Sequence, residues 1–183
     1  MQCEVILVLG GARSGKSAFA QKLASELGDR VLFVATGSAG DEEMHRRIEL
    51  HKKSRPEDWR TLEVATGVGE AIAQHIADAD VVLLDCLTFM VSNLMETAAD
   101  REDIDALDEA IAGEMGQLLQ QNGAHLIIVS NEVGMGLVPV YQSGRAFRDL
   151  LGRANQMAAC RADRVYLLVA GIPQTLKGGE LIC

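Results

Sequence analysis

Val5-Ile6-Leu7-Val8-Leu9-Gly10-Gly11-Ala12-Arg13-Ser14-Gly15-Lys16-Ser17 reads as an apolar strand running straight into a glycine-rich turn, and residues 18–27 behind it read as a helix. The octamer Gly10, Gly11, Ala12, Arg13, Ser14, Gly15, Lys16, Ser17 fits G-x-x-x-x-G-K-[ST]. Its chemistry is specific: backbone N–H groups curl around phosphates, Lys16 reaches the β/γ oxygens, and Ser17 offers a hydroxyl to Mg²⁺. The helix behind the loop adds the pull of its N-terminal dipole on anions. The strand before and the helix after separate a phosphate-binding loop from a chance glycine-rich turn.

Short runs of aliphatic and β-branched residues recur at Val31–Ala35, 81–84, 126–129 and 165–169, none with period-two alternation. Strands of that kind are covered on both faces, as in a parallel sheet flanked by helices. Helical patterns fall between them at residues 17–27, 42–53, 69–76, 104–121 and 145–161. In the fourth, Leu107, Ile111, Met115 and Leu118 form one apolar stripe. Alternating strands and helices behind a phosphate loop predict an α/β P-loop NTPase fold of RecA-like type, with a mostly parallel central sheet. Residues 1–183 are read as one domain. The acidic stretch 93–103 is read as a surface connection, and Lys177-Gly178-Gly179-Glu180 as a turn or tail.

A formal net charge of −9 opposes sequence-independent attraction to nucleic acid or anionic membranes, and aromatic residues at 4% leave few base-stacking platforms. A small anion needs only a local basic patch. Arg46, Arg47, Lys52, Lys53, Arg55 and Arg60 supply one, although Glu49, Glu57 and Asp58 also fit it to a solvated helix face. Cys3, Cys86, Cys160 and Cys183 lack metal-ligand spacing, which suits reduced thiols in the cytoplasm. No signal-like segment or apolar run of membrane-spanning length is present.

Asp85 ends the apolar run Val81-Val82-Leu83-Leu84 and is the candidate carboxylate for Mg²⁺ or its water. The loop Asn131-Glu132-Val133-Gly134-Met135-Gly136 follows another strand and borders the same cleft if ligands gather at strand carboxyl ends. Glu132 is left open between a simple connection and a carboxylate facing substrate or metal. Met44, Ile48 and His51 share a helix face, so His51 points inward, where neutral, nucleophilic imidazole is favoured near Lys52, Lys53 and Arg55. The residues alone leave a structural and a catalytic histidine both open. His75 and His125 have no acid or nucleophile pattern near them and are read as structural.

Together these motifs resemble the adenosylcobinamide kinase/adenosylcobinamide-phosphate guanylyltransferase family of cobalamin biosynthesis. The likeness covers nearly the whole chain. It rests on residues 10–17, Ala35-Thr36, Arg47-Ile48 with His51 and Arg55-Pro56, Trp59-Arg60-Thr61, the 131–136 loop, and Gly152-Arg153-Ala154-Asn155-Gln156. The resemblance implies a homotrimer that phosphorylates the aminopropanol hydroxyl of adenosylcobinamide with ATP or GTP. It would then transfer GMP from GTP to that phosphate. His51 would carry GMP covalently, Lys16 would act on the phosphates, and Ser17 and Asp85 would hold Mg²⁺. Nucleotide contacts would fall on the P-loop, Ala35, Thr36, Lys52, Lys53, Ser54, Arg55, Glu63 and Asp85. Family members can carry His-His where this chain has Leu50-His51, which leaves one candidate nucleophile at that place. A monofunctional P-loop small-molecule kinase and a GTP-dependent switch are the alternatives. Against the switch, this chain lacks the Asn-Lys-x-Asp guanine motif usual in such proteins, and a nucleic-acid motor conflicts with the charge and the few aromatics.

Overall fold

Seven strands form one sheet in the order β3-β2-β4-β5-β1-β6-β7, in a computed structural model that describes residues 3–37, 56, 58–101 and 103–178. The strands are β1 (Val5–Gly10), β2 (Val31–Ala35), β3 (Arg60–Glu63), β4 (Val81–Asp85), β5 (His125–Asn131), β6 (Arg164–Val169) and β7 (Ile172–Lys177). All pairings are parallel except β6 with β7. Five helices are described: α1 (Lys16–Leu27), α2 (Val68–His75), α3 (Leu87–Thr97), α4 (Ile104–Leu119) and α5 (Gln142–Arg161). The sequence reading of a mostly parallel P-loop α/β fold holds.

Alternation along the strands sorts their apolar side chains onto two faces. Leu7, Val34, Leu84 and Ile128 join a core with α2, α3, α4 and α5. Ile6, Val8, Phe33, Leu83 and Val129 pack with Ala20, Leu23 and Ala24 of α1 and with Trp59. Both faces are buried, hence the unbroken apolar runs in the sequence. The predicted stripe of α4 is buried, and Asp103 caps that helix by accepting a hydrogen bond from Ala106 N at 3.0 Å.

Three local readings change. Residues 93–97 are the end of α3, which buries Leu87, Met90 and Val91, so the connection starts only at Ala98. Polar Asn93 masked that helix because it lies on the buried side, where its Nδ2 donates to Thr36 O (2.8 Å) and Ala65 O (3.0 Å). Lys177 belongs to β7, and its Nζ reaches Ala159 O and Cys160 O near the C-terminal end of α5, where a cation is favoured. β3 and β7 carry no apolar pattern of their own; they form by pairing with β2 and β6. The two-residue turn Ala170-Gly171, both at positive φ (52° and 83°), sets the β6–β7 hairpin. The expected helix at 42–53 lies outside the described residues.

Candidate active site

The loop between β1 and α1 closes on itself. Ser14 N donates to Gly11 O (3.3 Å), and Lys16 Nζ donates across the loop to the same carbonyl (2.9 Å). The backbone passes through the left-handed region at Arg13 (φ 54°) and Gly15 (φ 94°). At Gly15 that conformation costs little because the residue lacks Cβ. Gly10 answers a different need: a Cβ there would stand 2.5 Å from Ser14 Oγ and 2.7 Å from Leu168 O. The hairpin tip braces the loop, since Gly171 N donates to Ser14 O at 2.8 Å. Among the described residues no side chain caps α1 and no acidic residue occupies its first turn, so nothing there opposes the pull of its N-terminal dipole on an anion.

Register places the other predicted contacts along the same edge of the sheet. Ala35 pairs with both Glu63 on β3 and Asp85 on β4, so the three stand in one row on one face. Ala35 packs in the α1-side core, which puts Asp85 on the face that carries Ser17. β5 separates β4 from β1, so two strand spacings, roughly 10 Å, lie between the Asp85 strand and the P-loop strand. Glu63 stands four spacings from β1, roughly 19 Å, too far to share a phosphate with Gly10.

Cys86 senses the charges around it. Burial, and then the Asp85 carboxylate, push its thiol up to about 11, while hydrogen bonds from Phe89 and Thr88 and the charge of Lys16 pull it back. Lys16 and Asp85 therefore both act on the space around one buried sulfur. The thiol itself stays protonated at neutral pH and is no nucleophile.

Thr36 is 1% exposed, and its hydroxyl is committed to the fold: it donates to Cys86 O (2.6 Å) and accepts from Cys86 N (2.9 Å). It ties the end of β2 to the residue after Asp85. Thr88 and Asn155, neither singled out as a ligand from the sequence, do the same for β5: Thr88 Oγ1 accepts from Asn131 N (2.8 Å), and Asn155 Nδ2 donates to Asn131 O (3.1 Å). Asn155 falls in the segment quoted for the family likeness; Thr88 sits in α3, which the sequence reading missed. His51, Lys52, Lys53, Ser54 and Arg55 lie outside the described residues. His75 Nδ1 contacts Ala71 O within its own helix, and His125 Nδ1 accepts from Glu4 N, in keeping with structural roles.

Ser17 and Asp85 are hard oxygen donors of the kind Mg²⁺ takes, and such ions use one or two carboxylates plus substrate phosphate rather than a protein cage. Among the described residues no cluster of three His, Cys, Asp or Glu could hold a metal alone. The donor set fits the ion.

Known proteins share this arrangement of sequence. The bifunctional adenosylcobalamin biosynthesis protein CobU of Escherichia coli (strain K12) is 43% identical over 181 residues, covering 94% of this chain and 99% of that protein. The bifunctional adenosylcobalamin biosynthesis protein CobP of Pseudomonas aeruginosa (strain PAO1) is 41% identical over 175 residues, covering 96% and 98%. The profile of the cobinamide kinase / cobinamide phosphate guanyltransferase family matches residues 6–176, and the chain belongs to that family.

Proposed function

We propose that this protein phosphorylates the aminopropanol hydroxyl of adenosylcobinamide with ATP or GTP. It then transfers GMP from GTP to the new phosphate through GMP-His51, releasing pyrophosphate and adenosyl-GDP-cobinamide. The observation that carries the reading is the closed P-loop, with Lys16 lying across it and the uncapped start of α1 behind it. Family membership supplies the substrate class. Neutral His51 attacks the α-phosphorus of GTP in line, forming a P–N bond as pyrophosphate leaves, and the phosphorylated corrinoid then takes the guanylyl group. Splitting one displacement into two relieves each of part of its barrier. Lys16 and the basic residues Lys52, Lys53 and Arg55 offset charge on the departing phosphates, while Ala35, the Thr36 backbone rather than its hydroxyl, Ser54, Glu63 and Asp85 complete the nucleotide contacts. Mg²⁺ held by Ser17 and Asp85 supplies further charge neutralisation when bound.

The whole chain acts as one kinase/guanylyltransferase unit, in the cytoplasm and as a homotrimer. An apolar loop supports the assembly. Met135, Leu137, Val138, Val140 and Tyr141 are all exposed, Leu137 at 97%, while Arg145 Nη1 pins the loop through Pro139 O and Val140 O. A fixed, projecting apolar surface of this kind marks a protein contact. Among the described residues no helix is long and apolar enough to cross a membrane.

Intact mass after incubation with GTP tests the reading. A GMP adduct, absent in His51→Ala, is expected. No adduct on the wild-type protein leaves a monofunctional kinase or a switch, and an adduct surviving in His51→Ala moves the nucleophile elsewhere.

A further inference from the structure

Phosphorylating an alcohol requires a group to receive its proton, and none of the residues assigned above does so. Two carboxylates stand at the C-terminal ends of the three strands β4, β5 and β1: Asp85, committed to the metal side, and Glu132, one residue beyond β5. Glu132 N donates to Gly10 O at 3.1 Å, extending the β5–β1 ladder past the Gly10–Asn131 pair. That bond fixes Glu132 beside the first residue of the P-loop. Its Oε1 accepts from Gly134 N at 2.6 Å, and Arg148 Nη2 donates to Gly134 O at 2.8 Å, so the Gly134 residue is held from both sides. Among the described residues Oε2 makes no hydrogen bond. The carboxylate is thus anchored by one oxygen and leaves the other for substrate.

The geometry points to Glu132 as the catalytic base of the phosphoryl-transfer step, a role that rests on the kinase reading above. The acceptor O–H bond breaks and its proton passes to the Glu132 carboxylate. The acceptor oxygen bonds the γ-phosphorus, and the bond from that phosphorus to the β–γ bridging oxygen breaks. The nucleoside diphosphate leaves with the electron pair, and Glu132 afterwards returns its proton to water. Guanylyl transfer from GTP to a histidine removes no proton from an alcohol and does not need this residue.

Glu132→Gln keeps an oxygen for Gly134 N–H and removes only the charge. Phosphorylation of adenosylcobinamide and GMP loading from GTP are measured separately on the full chain. The expected result is a fall of about 10²-fold or more in kcat for phosphorylation. KM for the nucleotide stays within about twofold, the acid limb of the pH profile disappears, and GMP loading persists. Glu132→Asp, which keeps a base on a shorter arm, retains the acid limb at a reduced rate. Wild-type phosphorylation rates in Glu132→Gln, or a parallel loss of both activities, overturn the assignment while leaving the kinase reading standing. A wild-type protein that phosphorylates no corrinoid overturns that reading, and the base with it.

Discussion

Thr36→Val separates a residue that builds the site from one that touches the ligand. The substitution keeps the shape but deletes the hydroxyl that bonds both backbone groups of Cys86. Cys86 O keeps a second donor, Met90 N at 3.3 Å, so its loss is partly covered. Among the described residues the only hydrogen bond of Cys86 N is the one it donates to Thr36 Oγ1, in a place where Cys86 is 6% and Thr36 1% exposed. Orphaning one buried N–H costs about 1–3 kcal/mol. For a chain of this size that corresponds to roughly 2–12 °C in Tm. With a urea slope of about 2 kcal/mol/M, the unfolding midpoint falls by roughly 0.5–1.5 M. The assay is urea unfolding followed by far-UV circular dichroism, paired with KM for GTP. An unchanged midpoint with a raised KM would refute the reasoning, because the hydroxyl would then serve the nucleotide rather than the strand ends.

Three further outcomes follow from local chemistry. The Arg30 side chain, hydrogen-bonded to Asp80, holds that carboxyl at about 2 instead of 3.8. Because the folded value is depressed, the pair's contribution is full above about pH 4 and is lost as pH falls from 4 towards 2; Asp80→Asn should flatten that part of the stability curve, measured by thermal melts across the range. Alkylation at neutral pH followed by peptide mass mapping should label exposed Cys3 and Cys160 and spare Cys86 until the protein unfolds. Light scattering behind size exclusion should show a trimer for the wild type and a smaller species for Leu137→Glu; a wild-type mass of one chain contradicts the assembly.

The sequence was most legible where one short stretch carries its own conformation. The P-loop could be read because Gly10 and Gly15, an apolar strand and a following helix sit within a few residues of one another, with close approach demanding the first glycine and positive φ the second. Five strands, and the helices at α1, α2, α4 and α5, were visible for a similar reason: burial writes a period into the residues themselves. Asp85 could be picked out as the polar end of an apolar run. Glu132 was noticed, but its neighbourhood was not.

What only the tertiary structure decided is carried by partners far apart in the chain. Thr36 meets Cys86 across 50 residues and Asn93 across 57, so no window along the sequence contains the tie that holds β2 to β4 and α3. Edge strands β3 and β7 owe their existence to the neighbour they pair with, not to a hydrophobic pattern of their own. The placement of Glu132 beside Gly10 likewise comes from β5 inserting between β4 and β1. Periodicity records which side of an element is buried; it holds no record of which element lies next to it, because backbone hydrogen bonds between strands are indifferent to side-chain identity.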